Sequence, residues 1–187
     1  EVFAEILRHL PPIGQEIAAF AYGSAWRQAE VLGLTWDVVD RRAQEIRLPD
    51  TKNGQPRILA LAGELARIIE RRWTRRLVGS QIVPWVFHHR GGRPVAPTSL
   101  RGWWRDAAAE AGHPALIFHD LRRSGVRNMI RAGVTEPVAM SISGHRSAAI
   151  FRRYNITSGD DQRRALTSTQ AYVAARRRLD GAKGTGS

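Results

Sequence analysis

Apolar residues recur at three- and four-residue intervals over positions 13–21 and 26–34, and this spacing predicts two short helices with Tyr22-Gly23-Ser24 between them. The period then changes to alternation in Thr35-Trp36-Asp37-Val38-Val39, Glu45-Ile46-Arg47-Leu48 and Arg57-Ile58-Leu59-Ala60-Leu61. With Asn53-Gly54 as a tight-turn pair before the last run, these segments predict a small antiparallel three-stranded sheet. Lys52 lies beside that turn, where a long side chain projects from the hairpin.

Helical spacing returns over 63–77, where Leu65, Ile68, Ile69, Trp73 and Leu77 fall near one face. The other side carries Arg67, Arg71, Arg72, Arg75 and Arg76 and reads as a solvated basic face. Trp85-Val86-Phe87 reads as a short extended segment and residues 88–94 as an exposed loop. Helices follow over 97–111, 119–132, 135–143, 147–154 and 160–178, with Gly112, Gly133 and Gly144 as stops and Thr135 as a cap. Trp103 and Trp104 are adjacent and cannot face the same way, so one belongs to the core and the other to a boundary. The sum is a mainly α-helical α+β fold with a small antiparallel three-stranded sheet, in one domain over residues 1–180. Residues 181–187 are Gly-rich and read as a disordered tail or cloning scar, and a first residue Glu1 in place of Met reads as a fragment of a longer protein.

Composition narrows the function. A chain of 187 residues with 43% hydrophobic and 25% charged residues can bury a sizeable core. No apolar run is long enough to span a bilayer and the N-terminus does not resemble a signal peptide, so the expected location is the cytoplasm. Zero cysteines exclude disulfides and thiolate metal sites. A net charge of +12 favours a polyanion such as DNA, against the plainer alternatives of a well-solvated surface or an inherited codon bias. Of 29 basic residues only Lys52 and Lys183 are lysines, so Lys52 is the lone lysine of the folded body. Arginine holds its proton almost always, whereas lysine can be tuned to give one up.

The candidate chemistry gathers in a few short segments. His119 and Arg122 stand three apart on one helix face, and Arg27 with Glu30 has the same spacing. Two guanidinium forks can hold both non-bridging oxygens of a phosphodiester and neutralise charge that grows during attack. Tyr154 follows His145 by nine residues, and its phenolate is a nucleophile suited to phosphorus. Taken singly, each has a plain reading: a packing tyrosine, a helix-end histidine, a surface ion pair. His88 and His89 lack companions at ligand spacing, so no metal is expected there.

As an ordered set the segments resemble the catalytic domain of the tyrosine recombinases, the phage-integrase family. The matching stretches are Arg27 through Leu34, Thr51-Lys52-Asn53-Gly54, His119-Asp120-Leu121-Arg122-Arg123, and Ser143-Gly144-His145 through Tyr154, within a likeness covering about residues 5–175. Two departures stand out: Trp26 precedes Arg27 where the family usually has a smaller residue, and Ser124 follows the Arg pair where it often has Thr. The resemblance implies that Arg27 and Arg122 clamp the scissile phosphate with a further hydrogen bond from His145. It implies that Tyr154 attacks to give a 3′-phosphotyrosine, that Lys52 protonates the departing 5′-hydroxyl, that His119 assists proton transfer, and that Glu30 holds Arg27. No metal or other cofactor is called for. The implied partner is double-stranded DNA, bound by a homotetramer when the protein is full length, with accessory DNA-bending proteins and no membrane. An upstream core-binding domain, absent from this stretch, would complete the clamp. The alternatives are a type IB topoisomerase-like relaxing enzyme and a catalytically silent DNA-binding relic.

Overall fold

The structure, a computed structural model, describes residues 1–49, 56–152 and 159–183, so the expectations for Lys52 and Tyr154 lie outside the described residues. The chain divides into two compact units, Glu1–Tyr154 and Asn155–Ser187.

The first unit opens with a helix that the sequence reading did not include, α1 (Val2–His9). Its Phe3, Ile6, Leu7 and the following Leu10 make an apolar stripe directed at the core and at α5 (Pro97–Glu110). Helix α2 (Pro12–Ser24) starts at a proline, whose fixed φ suits a first turn, and buries Ile17, Ala18, Phe20 and Ala21. It is the hub of the unit, touching α4 (Gly63–Thr74) and α6 (Asp120–Arg131). The α2–α6 crossing is close because α6 presents Gly125: a Cβ there would stand 2.5 Å from Tyr22 O.

After α3 (Gln28–Leu32) the expected first strand is mostly something else. Residues Trp36–Val38 form a 3₁₀ turn, and β1 is only Val39–Asp40, because Trp36 turns inward to stack edge-on against Trp73. The sheet continues with β2 (Glu45–Leu48) and β3 (Arg57–Ala60) in the order β1-β2-β3, all antiparallel, with Ile46 opposite Leu59 in the core. Helix α4 is followed by a short hairpin absent from the sequence reading, β4 (Leu77–Val78) and β5 (Gln81–Ile82).

Two surface expectations are overturned here. Arg72 does not face water: it is 4% exposed, donating to Val86 O at 2.8 Å and His88 O at 3.1 Å beside the carboxylate of Glu16. It lies three and four residues after Ile69 and Ile68, on the apolar face of α4, and that position puts it inside. Glu16 also gathers Arg71 and Arg75, so the basic stripe is largely an ion-pair network around one buried acid. His88 is likewise buried, in a turn closed by the His88–Pro94 bridge. Trp104 enters the core and Trp103 packs at its edge near His89.

The unit closes with α6, α7 (Glu136–Ser143) and α8 (Ala148–Arg152). Gly144 ends α7 in the left-handed region, at φ 70°, and its N–H returns to Met140 O. In the second unit α9 runs Gly159–Lys183, continuing into the segment read as a tail; Leu166 and Tyr172 on it are exposed. No helix among the described residues is long and apolar enough to cross a membrane.

Candidate active site

The site is assembled where α2, α6 and α7 end or begin. Helix α2 stops at Ala25, which takes a left-handed conformation (φ 53°, ψ 30°) uncommon for a residue with a Cβ. Trp26 then drops into the core at 1% exposure and donates its indole N–H to Ile142 O at 2.9 Å. That anchor swings Arg27 to the surface as the cap residue of α3. Glu30, one turn later, accepts from the Arg27 backbone N–H at 2.9 Å and from Arg27 Nη1 at 3.2 Å, so a capping-box geometry fixes the pair.

Arg122 lies in the first turn of α6, 2% exposed. Both hydrogens of its Nη1 are committed: it donates to Ala25 O at 2.5 Å and to Ser143 O at 2.6 Å. One guanidinium thus joins the turn before Arg27 to the end of α7, which leads into His145. A guanidinium has five N–H donors, and this arrangement uses two of them on Nη1. His119 immediately precedes α6 and is solvent-accessible. Partial burial, then the charges of Arg122 and Arg123, hold its imidazole below its ordinary pKa.

His145 is 8% exposed, edge-on to Phe151. Its Nδ1 is 2.8 Å from Ser143 Oγ, and that hydroxyl donates its single hydrogen to Ala139 O at 2.6 Å. Ser143 therefore accepts from Nδ1–H, and Nε2 of the neutral ring is an acceptor. Burial first, then Arg122 and Arg27, lower the His145 pKa to about 4, with Glu30 opposing. An anion brought between these groups would oppose the part of that shift that comes from Arg122 and Arg27.

This predicts a pH-dependent stability. An unfolded imidazole gains its proton as the pH falls through 6.5, while the folded ring waits until about 4, so His145 stabilises fully above 6.5 and loses that contribution toward 4. At pH 5 the unliganded protein should be about 2 kcal/mol less stable than at pH 7 from this residue alone. Urea melts of wild type and His145→Gln at both pH values measure it; identical pH slopes would remove His145 as the source.

The structure therefore brings together Arg27, Glu30, His119, Arg122 and His145, and the pKa shifts of both histidines carry the charges of both arginines. Three of them, Arg27, Glu30 and His145, line a cleft of about 1080 Å³ with Arg57, Gly144, Leu48, Pro49 and Pro56, the last three close in sequence to Lys52. The sequence reading missed Arg57. Its alternation marks a strand, but its partners Glu30 and Gly144 are far away in sequence, and no local pattern points to them.

Comparisons with known proteins identify the family and the fold. The sequence model described as the phage integrase family matches residues 12–159. The chain is similar to the shufflon-specific DNA recombinase of Escherichia coli, with 30% identity over 135 residues, 72% of this chain and 32% of that protein. It is also similar to the integrase of Salmonella phage P22, with 24% identity over 153 residues, 75% of this chain and 38% of that one. The chain thus spans only about a third of these curated relatives. Among solved structures the fold matches XerA recombinase with a TM-score of 0.66 at 19% identity, covering 86% of this chain and 66% of that one. A lambda integrase dimer bound to a COC′ core site matches with a TM-score of 0.66 at 15% identity, covering 84% of this chain and 47% of that one.

Proposed function

Because this chain belongs to the phage integrase family, we propose that it is the catalytic domain of a site-specific DNA recombinase that cuts and rejoins DNA by transesterification through Tyr154. The observation that carries the reading is the seat of Arg122. A buried guanidinium tied to the carbonyls on both sides of the site puts cationic charge at the meeting point of Arg27, His119 and His145.

In this reaction the Tyr154 oxygen attacks phosphorus, a new O–P bond forms, and the bond to the 5′-oxygen breaks. The phenolic proton leaves through His119, and Lys52 supplies a proton to the departing 5′-oxygen. Arg27 and Arg122 hold the non-bridging oxygens, joined by His145 once the phosphate has drawn a proton to Nε2. The phosphotyrosine conserves the energy of the broken linkage, so a 5′-hydroxyl can attack it and restore the diester. Double-stranded DNA is the substrate, and recombination between two duplexes calls for a tetramer of the whole protein. The net charge of +12 suits that substrate.

The test is a denaturing gel of the protein incubated with supercoiled plasmid in EDTA. A protein–DNA band that resists denaturant is expected. DNA binding without such a band, in a protein that includes the rest of its chain and a cognate site, would sink the reading.

Lys52 has its own test. Lys52→Ala is expected to slow cleavage by about 100-fold on an ordinary 5′-oxygen, the scale of general acid catalysis, but by less than about fivefold on a 5′-thiolate, which leaves without a proton. Equal slowing on both substrates removes Lys52 as the acid.

A further inference from the structure

Arg57 opens β3 and points into the cleft, yet none of the chemistry above uses it. Its guanidinium lies 4.6 Å above the ring of Trp26 and its Nη2 stands 3.4 Å from Glu30 Oε2. It also presses on the Gly144 backbone so closely that a Cβ at that position would overlap Nη1. The side chain is only 16% exposed, and its Nε and Nη2 are buried without a hydrogen bond among the described residues. A cation held this firmly serves a neighbour.

That neighbour is Glu30. Its carboxylate, 25% exposed, stands on the wall of the cleft that would receive a phosphate, where a bare negative charge opposes binding. Among the described residues Arg27 and Arg57 are the cations within ion-pair distance of it. The two differ in kind. Arg27 is 52% exposed and able to turn outward, whereas Arg57 is clasped between Trp26 and Gly144. If Arg27 alone had to neutralise Glu30, turning toward a phosphate would strip the acid of its only counter-charge.

We propose that Arg57 is a positioning residue that permanently neutralises Glu30, so that Arg27 can give its guanidinium to the scissile phosphate. The proposal rests on the reading of the cleft as a phosphate site. The buried ring of Trp26, unusual before the first arginine, supplies the cation–π seat that keeps Arg57 in place, and Gly144 is the one residue type that leaves room for it.

The experiment is a double-mutant cycle read by titrating inorganic phosphate and following the His145 ring resonances at pH 7. Arg57→Met keeps the aliphatic stem over Trp26 and is expected to weaken phosphate binding about tenfold by leaving Glu30 to compete for Arg27. In the Glu30→Gln background the same change is expected to cost less than about twofold, since no carboxylate remains to neutralise. Arg57→Lys retains the charge, is expected to stay within about threefold of wild type, and decides the matter alone if the methionine variant does not fold.

Equal losses from Arg57→Met with and without Glu30, a loss with lysine as large as with methionine, or no phosphate response in the wild type would overturn the proposal. Adduct formation on supercoiled plasmid is scored separately. The Glu30-dependent cycle, together with no adduct from the protein that includes the rest of its chain on a cognate site, removes the transesterification and keeps the role of Arg57.

Discussion

Arg122→Lys is expected to leave a folded protein whose adduct formation on DNA is slower by about 10²–10³-fold, the loss that follows removal of one preorganised donor to a developing oxyanion. The wild-type fork satisfies two carbonyls through Nη1 alone, Ala25 O at 2.5 Å and Ser143 O at 2.6 Å. A lysine ammonium has three donors on one atom at the end of a flexible stem, so it cannot hold both carbonyls and also present a flat double-donor edge to a phosphate. Its shorter reach also leaves a buried carbonyl underbonded, at a cost of about 1–3 kcal/mol in stability. Thermal melts measure the second effect and quenched adduct assays the first. A lysine variant within tenfold of wild-type rate and with an unchanged melting temperature would mean that Arg122 is a structural tie and nothing more.

Tyr154→Phe is expected to abolish the covalent adduct, because the substitution removes the attacking oxygen and nothing else. DNA affinity should stay within about twofold, since phosphate contacts by arginine dominate binding and do not involve the phenol. The paired measurement is a denaturing gel for the adduct and a gel shift for affinity, on the same protein and plasmid. An adduct of undiminished yield from the phenylalanine protein would reassign the nucleophile. A large loss of affinity together with the adduct would make the tyrosine a DNA-binding residue first.

The sequence revealed the elements whose period is long or strict. The helices over α2, α4, α5, α6 and α7 and the pairing of β2 with β3 carry enough repeats of 3.6 or 2 to be read directly. Short elements were not legible: β4 and β5 have two residues each, too few for any period, and the turn at Trp36–Val38 alternates as a strand would. Helix α1 was legible but overlooked, since Phe3, Ile6, Leu7 and Leu10 have helical spacing. At the site, Arg27, Glu30, His119, Arg122 and His145 were visible because each belongs to a short run of chemically suggestive residues. Arg57 was not, because its meaning comes from an acid 27 residues earlier and a glycine 87 residues later. Buried Arg72 had a signal, its i+3 and i+4 relation to two buried isoleucines, which the charge of its neighbours on the stripe obscured.

The bond from the Trp26 indole to Ile142 O closes a loop of 116 residues, and the Arg122 bond to Ala25 O closes one of 97. Contacts so distant in sequence are entropically the most expensive to close and are among the slow steps in reaching a native topology. During synthesis, the part of the site around Arg27 is made long before Ile142 and Ser143 exist to hold it. A ribosome-bound chain that has emerged only as far as α6 carries both arginines but has neither the Ser143 carbonyl that orients Arg122 nor the imidazole of His145. An unfinished copy therefore lacks the long-range bonds that tie the turn before Arg27 to the end of α7, and it must complete α7 before Arg27, Arg122 and His145 can be held together.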